Sequence, residues 1–196
     1  MSDVVEMLAR DARSWASGRS PWLRAALLSY LAYAGARHVE AGVRGEYRSW
    51  FAGITLAFHE LGHLVLAPFG RTMMLLGGSL FQVLIPIAAG VYLLLRQHDW
   101  FGLPVAGVWL ATSLFELSSY VDDANRNNLP LVGMGDNVIH DWDALLTEHH
   151  LLNHAQTFAG LIRASAIGAL ALSIALGLWL LFAMVPPPRT SGPSRG

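Results

Sequence analysis

Four long apolar stretches constrain this chain more than any other feature: Trp50 to Phe69, Met73 to Leu95, Phe101 to Val121 and Ala164 to Val185. Each approaches the roughly 20 mostly apolar residues with which a helix crosses about 30 Å of hydrocarbon while satisfying its own backbone polar groups. A fifth stretch, Trp22 to Ala36, is shorter and bounded by Arg24 and Arg37. It either spans with snorkelling arginines or lies in the membrane interface. The composition agrees, being 54% hydrophobic and only 14% charged, where soluble domains carry about 25% charged residues. The expected fold is an all-α, polytopic integral membrane helical bundle of four to five transmembrane helices, forming a single domain over 1–185. Its expected location is a multi-pass position in the plasma (inner) membrane of a bacterium. The tail 186–196 reads as disordered, because prolines stop the last helix and nothing beyond them can bury.

Other compositional facts remove function classes. There are no cysteines, so disulfides, thiolate metal sites and cysteine nucleophiles are excluded. All 13 basic residues are Arg, which removes Schiff-base chemistry. The formal net charge of −1 offers no basic footprint, so no nucleic acid partner is expected. The beginning of the chain lacks the apolar segment of a cleaved signal peptide.

The short connections between the stretches predict tight hairpins. Strict alternation then puts Arg71 and the whole segment from Asp122 to Gly160 on one side, with Arg96 and the tail on the other. That 122–160 segment opens as a Pro, Gly and Asn-rich loop. It continues into "VIHDWDALLTEHHLL", where Val138, Ile139, Trp142, Leu145, Leu146, His149 and Leu152 recur at helical spacing. This pattern predicts an amphipathic helix lying on the membrane surface.

Within the first long stretch, "AFHELGHLVLAPFG" carries His59, Glu60 and His63 in the HExxH pattern. On a helix the two imidazoles share a face and can hold one zinc ion, with Glu60 reaching a water beside it. Zinc lowers the pKa of such a water toward about 7, and Glu60 can take its proton as it attacks a carbonyl carbon. The reaction class is amide hydrolysis. Ionisable groups at bilayer depth cost on the order of 3 kcal/mol each and are tolerated mainly where they work. A third ligand is needed, and the leading choice is Asp123 in "LSSYVDDAN". Asp141 in "IHDWD" follows, reaching the metal only if the surface segment dips inward, and then Glu116; Asp136 is a further choice.

With HELGH in a predicted span, a further span after it, and then an Asp near a later helix end, Trp50 to Ala124 resembles the site-2 protease family of intramembrane metalloproteases. The resemblance implies zinc held by His59 and His63, Glu60 as general base, and a membrane protein or peptide substrate cut in or beside the lipid bilayer. The family's third ligand usually lies in an Asn and Pro-containing stretch ending in Leu-Asp-Gly. "YVDDA" has Ala124 in place of the glycine, and "NNLPLVGMGDN" offers Asn128, Pro130 and Asp136 at a different spacing. Two other readings stand beside it: a non-catalytic metal-binding membrane protein, and a metallopeptidase using Glu116.

Among the remaining polar residues, Gln82 is expected to bond across helices, and His149, His150 and His154 to be solvated. "GGSLFQVLIP", starting at Gly77, suits a close helix approach.

Overall fold

The computed structural model describes residues 2–42, 47–129 and 139–185. Among them there are seven α-helices and no strand: α1 (Ser2–Ala16), α2 (Trp22–Ala41), α3 (Ala52–Leu66), α4 (Arg71–Gln97), α5 (Gly102–Asp123), α6 (Asp141–Glu148) and α7 (Ala155–Met184). The tail 186–196 and Asp136 lie outside the described residues. Three segments are long and apolar enough to cross a membrane: Ala52–Phe69, Arg71–Gln97 and Leu152–Met184.

The stretch around α5, expected as a further span of the same kind, is less apolar for a physical reason. It is the central helix, with 13 of its 22 residues buried, among them Thr112, Ser113, Ser118, Asp122 and Asp123. A helix surrounded by protein can carry polar groups that lipid would reject, because its own carbonyls and its neighbours satisfy them. Ser118 and Ser119 donate back to the Phe115 carbonyl, and the Thr112 hydroxyl donates to the Trp109 carbonyl.

Contacts along the helices fix their directions. α7 runs antiparallel to α5: Gly107 lies against Ser173, and Val121 packs with Ala159. α2 is also antiparallel to α7, with Leu28 against Gly177 and Gly35 against Leu170. α3 follows α5, since Thr55 meets Ser113 and Trp109 while His59 approaches Tyr120. Hence α2, α3 and α5 point one way, and α4 and α7 the other. The four long stretches thus alternate in direction as expected, while α2 runs parallel to α3, so Arg37 joins Arg71, Arg126 and Arg163 at one end. Arg96 lies at the other end with the arginines of α1.

α1 was not foreseen. It closes that second end, where Ala12 and Ala16 are buried with Trp100, Phe101, Leu180 and Met184, and Asp11 accepts a hydrogen bond from the Trp100 indole. At the opposite end, α6 is shorter than the surface helix expected from 138 to 152. It turns onto the bundle: Leu145 and Leu146 are buried, and the Trp142 indole donates to Ser79 on α4.

The α3–α4 pair meets at Gly77, in the stretch read as a close approach, and at Gly62 opposite it. A Cβ on Gly62 would collide with the Gly77 carbonyl, and a Cβ on Gly77 with that of Gly62. Backbones pack this closely only when both positions lack a side chain.

Candidate metal centre

This close crossing brings the His59 and His63 face of α3 against α4. Positions i and i+4 put the two rings one turn apart, 4.7 Å between centroids. Each ring is oriented through Nδ1. His63 Nδ1 donates to the Met74 carbonyl at 2.8 Å, and His59 Nδ1 lies 2.7 Å from Gln82 Oε1. The Gln82 amide cannot be reversed, because its nitrogen donates to the Ser113 carbonyl at 3.0 Å and only the –NH₂ end can do so. His59 Nδ1 is therefore the donor, and both imidazoles present Nε2 to the space between α3, α4 and α6.

Asp141 occupies that space from the other side. Its Oδ2 is 3.3 Å from His59 Nε2 and 3.3 Å from His63 Nε2, and the three ligand atoms all lie within 4.8 Å of one another. With both Nδ1 protons committed, two neutral imidazoles and a carboxylate would turn three acceptors on each other. Such a set repels itself unless a proton or cation sits among them. The two histidine–carboxylate distances suit zinc: bonds of about 2.0–2.1 Å in tetrahedral arrangement put ligand atoms about 3.3–3.4 Å apart. Gly78 supplies the remaining room, since a Cβ there would stand 2.5 Å from His59 Nε2 and 2.6 Å from His63 Nε2. Among the described residues no other group of three or more such side chains is placed to hold a metal.

Burial by itself would raise the pKa of Asp141; a proton on the facing Nε2 atoms, standing where a cation could sit, holds the carboxyl well below the usual carboxylate range. Glu60, between the two histidines in sequence, is half-buried and near enough to act electrostatically on His63 and Tyr120.

Asp123, the leading choice for third ligand, is elsewhere. Its carboxylate accepts the backbone N–H groups of Asn128 and Leu129, and it stands 3.7 Å from His140 Nε2 and 3.8 Å from Arg126 Nε. It anchors the turn after α5, a role that sequence alone does not separate from ligation. Glu116 also lies apart, with Ser49 and Arg48 as its electrostatic neighbours. Asp141, ranked second, is the carboxylate brought to the histidines, because the segment does dip inward. His149, His150 and His154 are exposed, as expected. Gln82 does bond across helices, but one of its bonds orients His59, a role the sequence did not reveal.

Tyr120 was also missed. Its hydroxyl donates to Asp141 Oδ2 and accepts the Asp141 backbone N–H, each at 3.0 Å, and its ring stacks on His140 at 4.2 Å. Burial pushes the His140 imidazole below its ordinary pKa, and its Nδ1 accepts the Asp143 N–H at the start of α6. No protein-family model matches this chain, and no curated protein or solved structure is similar to it.

Proposed function

We propose that the chain is a multi-pass membrane zinc endopeptidase of site-2 type, cutting peptide bonds in or beside the bilayer, with α2 and α5 joining the three most apolar segments in crossing it. One observation carries the reading: two imidazoles whose Nδ1 protons are committed elsewhere converge on a carboxylate at 3.3 Å, and the residue after the first histidine is the glutamate of the HExxH motif. His59, His63 and Asp141 would hold the ion. A zinc ion in this set supplies Lewis acidity toward water and toward the scissile carbonyl. The Glu60 carboxylate takes the proton of the attacking water and returns it to the leaving amine nitrogen. Gln82 and the Met74 carbonyl keep both imidazoles in the tautomer that leaves Nε2 free.

The test is Glu60→Ala in protein reconstituted with a panel of single-span membrane peptides. The variant is expected to keep near-stoichiometric zinc and to lose cleavage by about 10²–10⁴-fold, the usual contribution of a positioned general base. A variant that cuts as fast as wild type defeats the mechanism. Wild-type protein that binds zinc and cuts no member of the panel favours the non-catalytic reading, in which the same ligands serve to hold α6 against the bundle.

A further inference from the structure

We propose that Tyr120 is a positioning residue for the third metal ligand, fixing the Asp141 carboxylate at the angle the two imidazoles require. The proposal rests on the zinc reading above. Asp141 is the first residue of an eight-residue helix, and a helix that short has little stability of its own. Nothing within α6 therefore holds its first side chain still. Tyr120 does so from α5, the most buried helix of the bundle.

A single phenol oxygen makes two bonds to one residue, donating to Oδ2 and accepting from the backbone N–H, each at 3.0 Å. The two bonds close a small ring that leaves the Asp141 side chain one orientation, with Oδ2 turned to His59 and His63. The ring of Tyr120 is itself held by the stack on His140, 4.2 Å between centroids and 21° between planes. His140 starts α6 by accepting the Asp143 N–H, so one aromatic pair sets both the beginning of the helix and the direction of its first side chain. The other fastenings of α6 do not touch Asp141: Trp142 to Ser79, Asn127 to Asp143 and the exposed pair Arg71 and Glu148.

Partners outside the ligand shell typically change metal affinity about 10–100-fold. Tyr120→Phe keeps the stacked ring and removes only the hydroxyl. Its zinc dissociation constant, from chelator competition on the full chain in detergent, is expected to rise by about 10–100-fold. The visible spectrum of the cobalt-loaded variant should change as the carboxylate reorients, with the helicity of the metal-free protein unchanged. Asn127→Ala cuts another tether of α6 and should leave both the affinity and the cobalt bands as in wild type.

Wild-type affinity with an unaltered cobalt spectrum in Tyr120→Phe overturns the proposal, as does an Asn127→Ala variant that weakens zinc equally. If Tyr120→Phe loses helicity, fluorotyrosine at position 120 replaces it as the probe. A more acidic phenol donates more strongly to Oδ2, and unshifted cobalt bands then refute the role. Wild-type protein that takes up neither zinc nor cobalt defeats the zinc reading itself, a failure distinct from loss of the Tyr120 role alone.

Discussion

Adding one carbon at Gly78 tests the metal centre more sharply than removing a ligand does. The Cβ of a Gly78→Ala variant would stand 2.5 Å from His59 Nε2 and 2.6 Å from His63 Nε2, whereas non-bonded heavy atoms rest at about 3.5 Å or more. Each imidazole must retreat by about 1 Å, several times the roughly 0.2 Å tolerance of a metal–ligand distance. The rings have little freedom to retreat, because their Nδ1 atoms are tied at 2.7 Å to Gln82 and at 2.8 Å to the Met74 carbonyl. Breaking either bond costs about 0.5–1.5 kcal/mol net. We expect zinc affinity to fall at least about 100-fold, equivalent to about 2.8 kcal/mol. The helix itself should not suffer, since alanine is better than glycine in a helix interior by about 1 kcal/mol. The assay is zinc content by elemental analysis, with chelator competition, in protein whose helicity is followed by circular dichroism. Helical protein without metal is the expected result. A Gly78→Ala variant that holds zinc at wild-type affinity would refute the placement of the ion between the two Nε2 atoms. Gly62→Ala is the contrast: its Cβ meets the backbone carbonyl of Gly77, which cannot swing aside, so the α3–α4 packing and the melting temperature should fall.

The two aspartates should separate cleanly. Asp141→Ala is expected to weaken zinc at least about 100-fold, whereas Asp123→Ala should leave the zinc dissociation constant unchanged and lower thermal stability by about 1–3 kcal/mol through loss of bonds to a buried charge; chelator competition and thermal melts on both variants check this. Gln82→Ala removes the acceptor that orients His59 and should weaken zinc by about 10–100-fold without changing helicity, as the same titration would read.

The histidine pair was legible because its geometry is local: two residues four apart on one helix share a face whatever surrounds them. The carboxylate that meets them was not, because choosing between Asp123 and Asp141 depends on how the chain returns between α5 and α6, which no periodicity encodes. A signal was nonetheless available in "HDWDALL". Trp142, Leu145 and Leu146 give that short helix an apolar face, and its burial against protein rather than lipid draws Asp141 inward. The same ambiguity explains α5, whose length and run of apolar residues suggest a span although its surroundings are other helices and its hydropathy falls short of the three most apolar segments. Sequence periodicity reports that a face is covered and does not say by what. α1 was missed for a related reason, since Ala12 and Ala16 are small residues whose burial depends on Trp100 and Leu180 arriving from far along the chain.

Glycine is what makes the arrangement of α3 and α4 fit a metal rather than merely pack. Gly62 and Gly77 let the two backbones touch, and one residue further on, Gly78 leaves open the space into which His59 and His63 point. Larger residues at the first pair would part the helices and move Met74 and Gln82 out of reach of the imidazoles. A larger residue at Gly78 would fill the centre while leaving the helices together. The stretch "GGS" therefore does two separable jobs, helix approach and ligand clearance. Ser79 adds a third by accepting the Trp142 indole, which draws α6, and Asp141 with it, over the same turn of α4. Three successive residues of one helix thus control both histidines and the carboxylate, although His59 and Asp141 lie 82 residues apart in the chain. An oily setting could tolerate such a site because the groups that orient these side chains, from Gln82 to Tyr120, are themselves supplied by neighbouring helices and would ask nothing of lipid.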